Sequence, residues 1–91
     1  MTASLLVNLS DYSKKRVRVY IEHQHKMCWN ISISDVDGIW LGDGKYIAEY
    51  NRGIEDCDAS FSETDYRLIE EALGNIIKEE HIRNNSALTV E

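Results

Sequence analysis

Three residues in the first third of the chain carry the donor atoms of a metal site. His23, His25 and Cys28 fall within six positions, with His81 and Cys57 further along. Imidazole and thiolate are good zinc ligands. The spacing His-x-His-x-x-Cys matches no zinc pattern, however, and a structural site needs a fourth ligand. The simpler expectation is turn histidines beside a strand cysteine, with no metal and no cofactor. A small metal-binding protein or enzyme around His23, His25 and Cys28 stays as an alternative.

Asp35-x-Asp37-Gly38 suggests a calcium loop at first sight. An EF-hand needs ligands at positions one and twelve around a glycine at six. Setting Gly38 at position six puts Ile33 at one and Gly44 at twelve, and neither side chain can ligate. The segment therefore reads as a turn. Nucleophilic catalysis requires a Ser or Cys with a base and an orienting acid, and no motif around Cys28 or His23 marks such a turn. Gly38, Gly42 and Gly44 lead into no helix N-terminus, so they form no phosphate loop. No catalytic residue is assigned, and the chain is not expected to be an enzyme.

The charges are split along the sequence. Residues 1–26 hold Lys14, Lys15, Arg16, Arg18 and Lys26 against Asp11 and Glu22, a net of +3, and the remainder is strongly acidic, bringing the whole to −6. The basic run Lys14-Lys15-Arg16-x-Arg18 beside Tyr12 and Tyr20 could contact phosphates and stack on bases. The overall charge opposes direct nucleic-acid binding, and a solvated strand face explains the run equally well. The acids gather at turns: Asp35, Asp37, Asp43, Glu55, Asp56 and Asp58. Such a field steers a basic partner inward. Trp40 lies between these turns, either as a core residue or as an interface anchor.

These groups must be held by one domain, since 91 residues make one core rather than two. A chain this short buries only about 60–65% of the surface its unfolded form exposes. Leu5 to Asn8 is a short first strand. Val17, Val19 and Ile21 alternate with polar neighbours, as do Trp29, Ile31 and Ile33, at the period of a half-buried strand. His23 to Lys26 reads as a turn, and Met27 as the first residue of the Trp29 face. Asp35 to Gly38 turns again, and Ile39-Trp40-Leu41 is a brief strand. Gly42-Asp43-Gly44 is a further turn before a strand over Lys45 to Asn51. Arg52 to Ala59 is an acidic loop.

A helix follows from about residue 63 to 84. Ser62 with Asp65 resembles a capping box. Tyr66, Ile69, Leu73, Ile76, Ile77 and Glu80 fall on one stripe. Lys78, His81 and Arg83 suit the helix C-terminus, and Asn84-Asn85 should stop it, leaving 85–91 as a tail, either flexible or with Ala87 to Val90 added as a short strand. Helix and sheet can bury their apolar faces only against each other. The expected fold is α+β: an antiparallel meander of three to five strands packed in two layers against one long C-terminal helix. Val19, Trp29, Ile31, Ile69, Leu73 and Ile76 form the expected core.

Met1 to Val7 has no basic n-region, and its apolar run is too short to export or anchor the chain. A cytoplasmic location with reduced cysteines is expected, and no membrane partner. The profile points to a small acidic non-enzymatic protein-binding module that inhibits or regulates a basic, nucleic-acid-handling partner. Phage-encoded anti-defence proteins and immunity proteins share this general type, and nucleic-acid mimicry is one way to act. The contact residues would be Asp35, Asp37, Trp40, Asp43, Glu55, Asp56 and Asp58. A nucleic-acid-binding module using residues 14–18 is the second alternative. An exposed sheet edge would also admit a homodimer.

Overall fold

A computed structural model describes residues 2–90, with side chains described for residues 3–50 and 52–79. Five strands form a single antiparallel sheet in the order of the chain: β1 (Thr2–Asn8), β2 (Arg16–His25), β3 (Cys28–Asp35), β4 (Trp40–Ile47) and β5 (Gly53–Glu55). The helix α1 (Glu63–Val90) lies over one face, giving the two-layer α+β arrangement.

The alternating runs register as their spacing requires. Val19 pairs with Ile33 and Ile21 with Ile31, so the two runs put their apolar residues on one face. That face buries Val7, Val17, Val19, Ile21, Ile31 and Ile33 against Ile69 and Leu73 of α1, with Leu9 and Ala59 closing the ends. Ile76 is partly buried against the same cluster. Trp29 is buried beside it, its ring near those of His23 and Tyr46 at centroid distances of 5.3 and 6.4 Å. The other face of the sheet has no covering layer among the described residues, and it exposes Leu6, Tyr20 and Trp40.

Three segments differ from the sequence expectation. β2 continues through His25, and the turn is only Lys26-Met27, with Lys26 at a φ of 46°. Gln24 is accommodated as a bulge between the His23–Trp29 and His25–Cys28 pairs. Met27 therefore sits in the turn, exposed, rather than on the face of Trp29. Gly42-Asp43-Gly44 is not a turn but the middle of β4. A Cβ at Gly42 would lie 2.8 Å from the Ala59 Cα, and one at Gly44 2.8 Å from the Cys57 Cβ. These glycines admit a crossing segment, which is the usual reason for glycine inside a strand. Finally, Lys45 to Asn51 divides into the end of β4 and a short 3-10 turn, Glu49–Asn51. The acidic loop after it contains β5.

The helix N-terminus is built as expected, with one change. The Ser62 hydroxyl accepts from the Asp65 N–H at 3.1 Å, the N-cap bond. The Asp65 carboxylate does not reach back to close a capping box. It is buried and accepts the backbone N–H groups of Ser10, Asp11 and Tyr12 at 2.9, 3.2 and 2.9 Å. One helix residue thus pins the β1–β2 loop. The helix extends past Asn84-Asn85, since neither asparagine breaks a helix as Gly or Pro would. The roles expected of Glu80, His81 and Arg83, and of side chains in the 85–91 tail, fall outside the described side chains.

Candidate functional site

The β3–β4 hairpin is set by its own turn chemistry. Val36-Asp37-Gly38 forms a three-residue loop: Gly38 N–H donates to the Asp35 carbonyl at 3.0 Å, and Asp35 N–H donates to the Ile39 carbonyl at 2.9 Å. Gly38 takes a φ of 88°, the left-handed position that this loop type needs. The Asp35 side chain locks it by accepting from Asp37 N–H and Ile39 N–H, both at 2.9 Å. Lys14 reaches over from the β1–β2 loop, with its Nζ at 2.8 Å from Asp35 and 3.2 Å from Asp37. The Lys14 ammonium, together with the turn N–H groups, holds the Asp35 carboxyl below its ordinary range, and the two acids raise Lys14.

Asp35 therefore leaves the expected contact surface. Its side chain is only 2% exposed and serves the turn. Lys14 stays 42% exposed, with its ammonium on the two acids of this turn. This pairing was not legible beforehand, because a sequence does not show which residues a loop closure will pair.

Beside Asp37, the turn presents apolar side chains outward. Val36, Ile39 and Trp40 are 50%, 58% and 57% exposed. A bulge opposite the Ile33–Ser34 step is responsible for Trp40. Ile33 pairs with Gly42 and Ser34 with Trp40, leaving Leu41 as the extra residue. Leu41 packs toward the core, and Trp40 turns to the uncovered face. The Trp40 indole N–H donates to Asp43 at 2.9 Å. That bond, with a second from Ser32, lowers the Asp43 pKa. The ring is thereby held over the face it occupies. Val36 and Ile39 were not among the expected contact residues. Their signal was visible as apolar residues flanking an Asp-Gly turn, where polar ones are usual.

The remaining acids are carried by the segment that crosses β4. Asp58 N–H donates to the Asp43 carbonyl at 2.9 Å, which lays Cys57 to Ala59 across Gly42 and Gly44. Asp56 and Asp58 are exposed on this strap. Glu55 is half-buried and holds an ion pair with Arg52 at 2.9 Å. The Tyr66 hydroxyl donates to the Ala59 carbonyl and ties the strap to α1. Burial first, and the Cys57 thiol next, push the Tyr66 phenol up to about 12. Asp37, Trp40, Asp43, Asp56 and Asp58 thus all lie toward the end of the sheet away from β1, with Trp40 and Asp43 on the uncovered face and the strap of Asp56 and Asp58 crossing β4 on the helix face.

Arg16, Arg18 and Tyr20 alternate onto the uncovered face of β2, and Arg16 donates to Asn8 at 3.1 Å. Among the described residues the metal candidates do not converge. His23 Nε2 lies 2.8 Å from the Lys26 carbonyl, and the Cys28 thiol points to Gln24. Among the described residues no three His, Cys, Asp or Glu side chains form a group that could hold an ion. Cys28 and Cys57 are both free thiols. No described helix is long and apolar enough to cross a membrane. Comparison with protein-family models, curated proteins and solved structures finds no match for the chain.

Proposed function

We propose that this chain is a small acidic protein-binding module without catalytic activity, which inhibits or regulates a basic, nucleic-acid-handling partner by occluding it. The supporting observation is that Val36, Ile39 and Trp40 are exposed on the same hairpin and strand that carry the exposed acids Asp37 and Asp43, with Asp56 and Asp58 on the strap along the other face of β4. An apolar centre with an aromatic anchor and a charged rim is the anatomy of protein interfaces. The acids would speed encounter with a basic surface, and Trp40 would supply residence time. A pure mimic of a phosphate backbone has no use for three exposed apolar side chains, so the expected partner is a protein surface that holds both a basic border and a pocket.

A pull-down from a matching lysate supplies the partner, and binding kinetics then decide. Trp40→Ala should weaken binding roughly 30-fold or more, mainly through faster dissociation. Asp37→Lys with Asp56→Lys should slow association and flatten its salt dependence, because exposed charges are screened beyond about 8 Å at physiological ionic strength. Wild-type rates for both variants at low salt would sink the proposal. One arrangement favours the second alternative: Arg16, Arg18 and Tyr20 share the uncovered face. A gel shift by the wild-type chain that Arg16→Glu abolishes would put nucleic-acid binding in its place.

A further inference from the structure

β1 is bonded along one side only. It pairs with β2 from Thr2 to Asn8, and among the described residues no strand lies against its other side. Every second residue therefore turns its N–H and C=O outward. Proteins usually blunt such an edge with a charge, a proline, a bulge or a very short strand. β1 has none of these. Its seven residues, Thr2-Ala3-Ser4-Leu5-Leu6-Val7-Asn8, are uncharged, and their register with β2 is unbroken. The opposite edge is protected: β5 has three residues and is followed by the acidic strap. Leu6, on the uncovered face beside this open edge, is 48% exposed.

We propose that β1 is a dimerisation edge, pairing antiparallel with β1 of a second copy about a two-fold axis through Leu5 to give one ten-stranded sheet. Two features of the register select this occupant. Leu5 is the midpoint of the strand, so Thr2 meets Asn8 of the other copy and all seven residues pair without overhang. Leu6 then lies diagonal to its own counterpart, at about 7–8 Å, where two leucines can touch. Glu22 stands opposite Thr2 and Arg16 opposite Asn8. The two-fold therefore places Glu22 of one copy and Arg16 of the other in the same cross-sheet row, on the same face. Centring the axis on Leu6 instead would put Arg18 in a row with its own copy. Both rows span three strand spacings, about 14 Å, beyond the screening length of about 8 Å, so full pairing and the Leu6 contact set the register rather than charge.

The axis is perpendicular to the sheet, so both helices fall on one side. The β3–β4 hairpins stay at the two far ends, and the dimer displays two copies of that surface. The inference does not depend on what binds there.

Sedimentation velocity over a range of concentrations tests it, on the full chain. The wild type should reach twice the 10.5 kDa chain mass and go no further. Leu6→Lys sets two ammonium groups diagonally across the axis and should raise the dimer dissociation constant at least tenfold. Ser13→Lys adds the same charge to an exposed loop and should leave it unchanged. Hydrogen exchange of the wild type supplies a readout without mutation. The outward amides of β1, every second residue, should become at least tenfold better protected at high concentration than at low. A wild type that stays monomeric, or grows past the dimer by adding β1 onto β5, overturns the proposal. So does a Leu6→Lys variant that dimerises like the wild type. Should that variant fail to fold, β1 exchange that is independent of wild-type concentration overturns it instead.

Discussion

Replacing Gly42 by alanine should do more damage than any glycine substitution in a turn. The added Cβ would sit 2.8 Å from both Cα and Cβ of Ala59, and closer still to its nitrogen. Carbon atoms rest at about 3.5–4.0 Å, so the strap must retreat by roughly 0.7 Å or more. The Asp58 N–H to Asp43 carbonyl bond is 2.9 Å long, and a retreat of that size takes it beyond hydrogen-bonding range. Overpacking costs about 1–3 kcal/mol and the lost bond about 1 kcal/mol, a total of roughly 2–4 kcal/mol. At about 4–8 °C per kcal/mol for a domain of this size, the midpoint should fall by about 8–32 °C. Gly38→Ala is the control. Its Cβ would meet nothing within 4 Å, so only its φ of 88° resists, at about 1–2 kcal/mol. Urea unfolding of both variants, with amide exchange at Asp58, checks the argument. A Gly42→Ala protein within 0.5 kcal/mol of wild type, with the Asp58 amide still protected, would refute the close crossing.

Leu73→Ala should cost about 2–5 kcal/mol, because Leu73 is fully buried where α1 meets the sheet; chemical denaturation measures it, with the outward Glu71→Ala within about 0.5 kcal/mol as reference. Asp65→Asn keeps one oxygen to accept from Ser10 and Asp11 but turns an NH2 toward the Tyr12 N–H, and should cost roughly 1–3 kcal/mol, with faster exchange at Tyr12. The Asp35 carboxyl is held below its ordinary value of 3.8 by Lys14 and the turn N–H groups. Its contribution is present above that value and disappears as pH falls through the lower folded-state pKa, so Asp35→Asn should flatten the acid limb of a stability–pH curve. Tyr66 has the opposite sign: its phenol is raised to about 12, so the folded state keeps a proton that the unfolded chain releases near pH 10. Stability should decline from about pH 10 toward 12, and Tyr66→Phe should remove that part of the decline.

The sequence alone determines the parts of this protein that repeat with a period. Val17, Val19 and Ile21 and then Trp29, Ile31 and Ile33 alternate because a pleated strand has two faces, and Ile69 and Leu73 recur because a helix turns every 3.6 residues. One amphipathic sheet and one amphipathic helix leave a single way to bury both, so the two-layer α+β fold was legible. The site was legible only in outline. Asp37, Asp43, Asp56 and Asp58 do lie in exposed positions, as acids near glycine and turn residues should. Asp35 does not, because Lys14 and two turn N–H groups claim its carboxylate, and that pairing joins positions 21 residues apart.

Gly42 and Gly44 had the local signature of a turn, and only the strap lying over them makes them strand residues. Trp40 shows the division most clearly. Its place in an alternating strand would set it toward the core, yet one bulged residue, Leu41, sends it to the uncovered face. A strand's period is a property of the local chain, and the sequence carries it. Where that period slips by one residue depends on what the rest of the fold must bury, and tertiary packing alone decides it.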